Sequence, residues 1–217
     1  MRVLLMLGGL AAGLVGLGID AWEIFPSVMT ATPANPLPRS LPDAFVYFWT
    51  YFTHLTNLGL LAIYVAELTG WRWLGWGRTA AARAIGASYI ALVGLFYHVM
   101  LAPTLQMEGA LAVATWLLHY ATPAVFLLWW LASPHGALRF RRIPLLLVPG
   151  LAYVGYVLGR GAMVGEYPYD ILDAGKFGYV QVGIGTGVLI AAVALFCVLL
   201  VGVDAWLARR ALPRSGA

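Results

Sequence analysis

The sequence predicts an all-α, polytopic membrane protein: a bundle of six transmembrane helices with both termini cytoplasmic. Three observations predict it. The chain is 62% apolar and only 10% charged, whereas soluble domains carry roughly 25% charged residues. Its mean hydropathy is +0.84, with apolar runs long enough to cross a bilayer, and its basic residues are distributed unevenly between alternate loops. At about 20 residues per crossing, six crossings use roughly 120 residues of the 217. What remains is short loops, so residues 1–208 read as a single transmembrane domain followed by a short basic cytoplasmic tail, 209–217. The lone cysteine, Cys197, excludes an internal disulfide framework or a Cys-rich zinc site. A net charge of +4 is too thinly spread to point to nucleic acid.

The first segment runs from about Val3 to Ile19. A basic residue followed by an apolar stretch also resembles a signal peptide, but Gly18-Ile19-Asp20 is a poor cleavage site. Gly9 and Gly13 form a small-xxx-small pair suited to close helix packing. The loop that follows contains Pro26, Pro33, Pro36, Pro38 and Pro42 and is not expected to be helical for long. Further segments are expected at about Ala44–Leu68, Ala84–Ala102, Gly109–Leu131, Ile143–Leu158 and Gly178–Leu207. The last is too long to stand upright in a bilayer and is expected to tilt or protrude. In it, Gly183 and Gly187, with Tyr179 and Thr186 on the same face, read as close-packing sites, and Cys197 as a small packing residue.

Orientation follows from the cations. With the N-terminus inside, Arg2, Arg72, Arg78, Arg83, Arg139, Arg141, Arg142, Arg209, Arg210 and Arg214 are cytoplasmic, and Arg39, Arg160 and Lys176 are outside. This is a strong positive-inside asymmetry. Asp20, Glu23, Asp43, Glu108, Glu166, Asp170 and Asp173 collect on the opposite side. No internal repeat marks a two-fold transporter.

Polar side chains inside apolar helices are costly and each needs a reason. On a continuous second helix, Thr50, Thr53, His54, Asn57 and Tyr64 share an arc of about 100°, with Thr56 on its flank. Single residues of this kind commonly serve interhelical hydrogen bonds worth about 0.6 kcal/mol each; five in one stripe point to a lined cavity. His54, His98 and His119 lie in the second, third and fourth segments, all in the expected outer half, where their convergence would form a pocket. Thr115, His119, Thr122 and Phe126 share one face of the fourth segment, with a kink expected at Pro123. His135 reads as an ordinary loop residue. No G-x-S-x-G elbow is present, and the remaining candidate nucleophiles are threonines, which need a base such as histidine to take the hydroxyl proton. In the loop Gly165–Asp173, the tyrosines read as interface anchors, and the two aspartates as residues able to orient a histidine or gate the pocket mouth.

Three motifs occur in order: Phe52-Thr53-His54-Leu55-Thr56-Asn57, His119-Tyr120-Ala121-Thr122-Pro123, and Tyr167-Pro168-Tyr169 leading to Asp173. Together they resemble the bacterial six-pass branch of the androgen-induced-gene and androgen-dependent TFPI-regulating protein family. The resemblance implies a membrane hydrolase with a threonine nucleophile and a histidine partner, acting on esters of the kind formed between fatty acids and hydroxy fatty acids, in a bacterial inner membrane. His119 corresponds to the family histidine. The chain departs from the animal pattern in two spacings: Thr53 lies four residues before Asn57 rather than three, and His119 is one residue closer to its proline. Thr53 is central on the polar stripe and is preferred to Thr56 as nucleophile. Asn57, His54, His98, Tyr169 and Asp173 are assigned to substrate binding or the oxyanion. On this reading the partners are a lipid substrate and the bilayer, with no metal or other cofactor. Two other classes compete: a haem- or metal-binding membrane protein using the intramembrane histidines, and a small-molecule transporter using the polar stripe as its path.

Overall fold

The computed structural model describes residues 1–33 and 35–211. It is helical throughout; the only extended pairing among the described residues is an isolated bridge between Thr32 and Asn35. Among the described residues, five helices are long and apolar enough to cross a membrane: Arg2–Met29, Ala80–Leu101, Gly109–Leu131, Phe140–Val164 and Ala174–Arg210. Their outward faces carry Leu4, Leu14, Val113, Trp116, Val148, Ile184 and Val188, all more than half exposed. A water-soluble protein does not show apolar surface on this scale, and the chain is that of an integral membrane protein.

Helix α1 (Arg2–Met29) extends ten residues past the expected end at Ile19 and passes through Pro26. In the last turn a proline removes only one N–H, and the carbonyl of Pro26 still accepts the Thr30 N–H at 3.1 Å. Pro42 is likewise helical, because it occupies the first turn of α2 (Leu41–Phe48), where a missing N–H costs nothing. The expected helix Ala44–Leu68 is divided: α2 stops at Phe48, Trp49–Tyr51 are non-helical, and α3 runs from Phe52 to Thr69. Thr53, His54, Thr56 and Asn57 crowd the first turns of α3, which keeps it outside the set of strongly apolar helices.

Helix α4 (Ala80–Phe96), capped by the Thr79 hydroxyl, continues into a wide π-turn at Tyr97–Leu101. Helices α5 (Gly109–Trp116) and α6 (Thr122–Leu131) form one rod through a second π-turn at Leu117–Ala121. Helix α7 (Ile143–Val164) ends at Gly165, which adopts φ 73°. Helix α8 (Ala174–Ala211) is bent at Gly178 (φ 76°, ψ 156°), so its long regular part begins at the expected position. Arg209 and Arg210, at the start of the expected tail, are in its last turn; residues 212–217, with Arg214, lie outside the described residues.

Two packing units result. In the first, α1 runs antiparallel to α3: Gly9 lies under the ring of Tyr64, Gly13 under Leu61, and Gly16 against Leu118. Tyr64, Phe126 and Trp129 form the aromatic centre of this unit, with ring centroids 5.2–5.4 Å apart. The second is the α7–α8 pair, joined to the first through α4. At that junction Ser88 Oγ meets the buried Cys197 Sγ at 3.3 Å. A Cβ at Gly183 or Gly187 would meet nothing within 4 Å, whereas one at Gly185 would run into Ile171.

Near the end of α7, Gly161 lies directly under the ring of Tyr167, whereas Gly159 faces open space. Gly161→Ala is therefore expected to lower the thermal midpoint in detergent, at the ~1–3 kcal/mol typical of overpacking. Gly159→Ala is expected to leave it unchanged or slightly higher.

Candidate functional site

The break between α2 and α3 places Thr53 in the first turn of α3, where backbone N–H groups have no intrahelical acceptor. Its hydroxyl oxygen lies 3.3 Å from Nε2 of His119. On the other side of that ring, Nδ1 is 3.0 Å from the carbonyl oxygen of Thr115. A carbonyl only accepts, so Nδ1 carries the proton; in the neutral ring Nε2 is then an acceptor and Thr53 the donor. This is the tautomer a general base requires. Tyr97 stacks on the His119 ring with centroids 4.1 Å apart and holds its plane.

The position of His119 follows from local sequence. Pro123 has no N–H to offer the His119 carbonyl, and the turn before it widens to i→i+5, with the Thr122 N–H bonded to Leu117 O. Asn57 spans the gap between the two helices. Its amide donates to Thr53 O at 2.9 Å and Leu118 O at 3.4 Å, and its Oδ1 accepts from Thr122 Oγ1 at 2.7 Å. Both amide protons are thus committed to backbone, so Asn57 fixes the separation of Thr53 and His119.

Thr53 and His119 open onto an apolar cavity between α4 and the α7–α8 pair. Away from these two residues its walls are almost entirely apolar, including Leu92, Val93, Leu147, Val154, Ile190 and Val193. Tyr169 also faces it. The Tyr169 hydroxyl oxygen accepts the Phe52 N–H at 3.0 Å and lies within hydrogen-bonding reach of the Thr53 hydroxyl and backbone N–H.

The remaining expected site residues lie elsewhere. His54 is buried, with Nδ1 2.6 Å from Phe48 O and Nε2 2.9 Å from Asp20 Oδ2; both nitrogens are engaged, and the pair ties α3 to α1. His98 is exposed, 3.2 Å from the Tyr120 hydroxyl. Thr56 lines a separate groove. Asp173 caps the start of α8 by accepting the Lys176 N–H at 2.9 Å. The three intramembrane histidines therefore do not converge, and among the described residues no three His, Cys, Asp or Glu side chains are grouped to hold a metal. Asp20, Tyr97 and, Tyr169 apart, the cavity aromatics escaped sequence reasoning; of these only Asp20, an acid just past the expected end of the first segment, left a usable signal. His135 is also more than a loop residue, since its Nδ1 lies 3.2 Å from Asp204 Oδ1, a carboxylate only 2% exposed.

The loop carrying Tyr169 is tethered by ions. Glu166 receives Arg39 Nη2 at 2.6 Å and Arg160 Nη2 at 3.1 Å, and Arg39 also reaches Asp43 at 3.1 Å. Partial burial opposes ionisation of Glu166, but the hydrogen bonds from Arg39 and Arg160 outweigh it and hold the carboxyl below its ordinary value of 4.5. The hydrogen bond to Glu166 correspondingly raises the guanidinium of Arg39. Because Glu166 is more acidic in the folded protein than in the open chain, its tether contributes fully above pH 4.5 and is lost as pH falls below that value. Glu166→Gln is therefore expected to lower the thermal midpoint near neutral pH. The gap from the parent protein should close on acidification below the ordinary carboxylate range, as followed by thermal melts across pH.

Comparisons with models of known protein families, with curated proteins and with solved structures find no match. What the fold and site define is a class: an all-helical integral membrane protein with a threonine–histidine pair at the head of an apolar cavity.

Proposed function

We propose that the protein is a membrane hydrolase of lipid esters, with Thr53 as nucleophile and His119 as general base and then general acid. The observation that carries this reading is the Thr53–His119 contact, with Nε2 left as the acceptor, at the head of an apolar cavity suited to an acyl chain. It is the same pair that the family resemblance implies. Thr53 Oγ1 attacks the ester carbonyl carbon as its proton passes to His119 Nε2. The ester C–O bond then breaks, and His119 returns the proton to the departing alkoxide, releasing the alcohol. Water attacks the acyl-threonine, His119 takes a proton from that water, and proton return to Thr53 frees the fatty acid. The oxyanion would be met by the Tyr169 hydroxyl, which lines the same pocket beside Thr53, a donor of the kind that stabilises tetrahedral intermediates.

The reading includes a bilayer placement. Helix α3 makes the sixth crossing, shielded from lipid by its neighbours. The end rich in arginine (Arg72, Arg78, Arg139, Arg141 and Arg142) faces the cytoplasm, and the end with Arg39, Glu166 and Tyr169 faces outward, in a bacterial inner membrane. Substrate then enters from the outer leaflet.

The experiment is fluorophosphonate labelling of purified protein in detergent, with peptide mapping. An adduct on Thr53, absent from Thr53→Ala and reduced at least ~100-fold in His119→Ala, is the expected outcome. Labelling that is absent in folded parent protein, or indifferent to His119→Ala, overturns the mechanism.

A further inference from the structure

A second apolar space lies between α3, α4 and α7. It is lined by Leu55, Thr56, Ile63, Ile85 and Val148, none of which reaches the Thr53–His119 cavity. The two spaces share only three residues: Phe52, Tyr89 and Tyr153. These rings form a continuous wall, with Phe52 packed between the two tyrosines at centroid distances of 5.6 Å to Tyr89 and 4.7 Å to Tyr153.

The three panels are not held alike. The Tyr89 hydroxyl donates to Leu146 O at 3.0 Å and accepts the Gly150 N–H at 2.9 Å. The Tyr153 hydroxyl donates to Thr50 O at 3.0 Å. Phe52 has no polar anchor in its side chain, and it directly precedes Thr53. Removing its ring takes out the panel between the two tyrosines while leaving both tyrosine anchors in place.

We infer that the ring of Phe52 is the partition that sets the acyl-chain length the site accepts. This rests on the hydrolase reading for its catalytic meaning. The geometric claim is narrower: with Phe52 present an alkyl chain ends at the aromatic wall, and without it the chain continues into the groove. A chain gains about fourfold in affinity for each methylene it buries, so affinity should climb with chain length and level off where the wall stops further burial.

The test is displacement of a fluorescent fatty acid from the purified full-length protein by saturated acids from hexanoic to stearic, with hydrolysis of the matching p-nitrophenyl esters measured in parallel. The plateau is expected to move several carbons longer in Phe52→Ala. Adding Val148→Trp, at a half-exposed position that touches only the groove, should return it to the parent length, while Val148→Trp alone leaves it unchanged. Should Phe52→Ala fail to fold, Phe52→Trp thickens the same wall and should move the plateau shorter. An unmoved plateau in a folded Phe52 variant, or a shift that Val148→Trp does not reverse, overturns the partition. A shifted binding plateau without ester hydrolysis keeps the partition and removes the hydrolase reading; hydrolysis with an unshifted plateau does the reverse.

Discussion

Between Phe48 and Phe52 the chain interrupts its helical hydrogen bonding, and side chains from three parts of the molecule take up the groups left open. His54 bonds to the Phe48 carbonyl, Tyr153 to the Thr50 carbonyl, and the Phe52 N–H finds the Tyr169 hydroxyl. Thr50 closes on Val46 O at 2.7 Å. In an apolar medium each open backbone group costs several kcal/mol, so the interruption is tolerable only with these partners in place. The repair fixes α7 and the Gly165–Asp173 loop against α3, and the same repair leaves Thr53 at a helix start. The geometry around the candidate nucleophile is thus inseparable from the way the chain mends a broken helix.

A matching interruption produces its partner. Pro123 withholds an N–H from the His119 carbonyl, the turn widens, and that carbonyl lies against Gly94, where a Cβ would approach to 3.1 Å. Asn57 and Thr122 then occupy the space between the two irregular turns. Threonine and histidine meet because each lies where a helix departs from its regular path, Thr53 just after the break before α3 and His119 in a π-turn.

Hydropathy was enough to read the all-helical class and the membrane character, and most helix ends fall within a turn or two of expectation. The polar stripe also singled out Thr53, His54 and Asn57, and the face shared by Thr115 and His119 is the one that turns the ring. What hydropathy could not carry was the interruption at Trp49–Tyr51, because no glycine or proline marks it and its cause lies in Tyr153 and Tyr169, about a hundred residues further on. Similar depth was also a poor guide to convergence. His98 and His119 both lie in π-turns, yet helical phase turns one outward and the other inward. Glycine spacing failed in the same way: Gly183 and Gly187 repeat correctly on a face with no neighbour, while Gly185 meets Ile171. Phase relative to a neighbour is a tertiary property, and periodicity within one helix does not contain it.

The hydroxyl of Tyr89 enters the hydrogen-bond ladder of α7 beside Pro149, taking the Gly150 N–H and giving to the carbonyls of Leu146 and Leu147. A proline in mid-helix is ordinarily a hinge, a place where a transmembrane rod can flex and widen a gap beside it. Here the tyrosine splints it. The splint ties α4 and α7 into a single wall, while the opposite wall, α8, is bent at Gly178. A proline that would otherwise loosen the helix is thereby turned into the point at which two helices are clasped together.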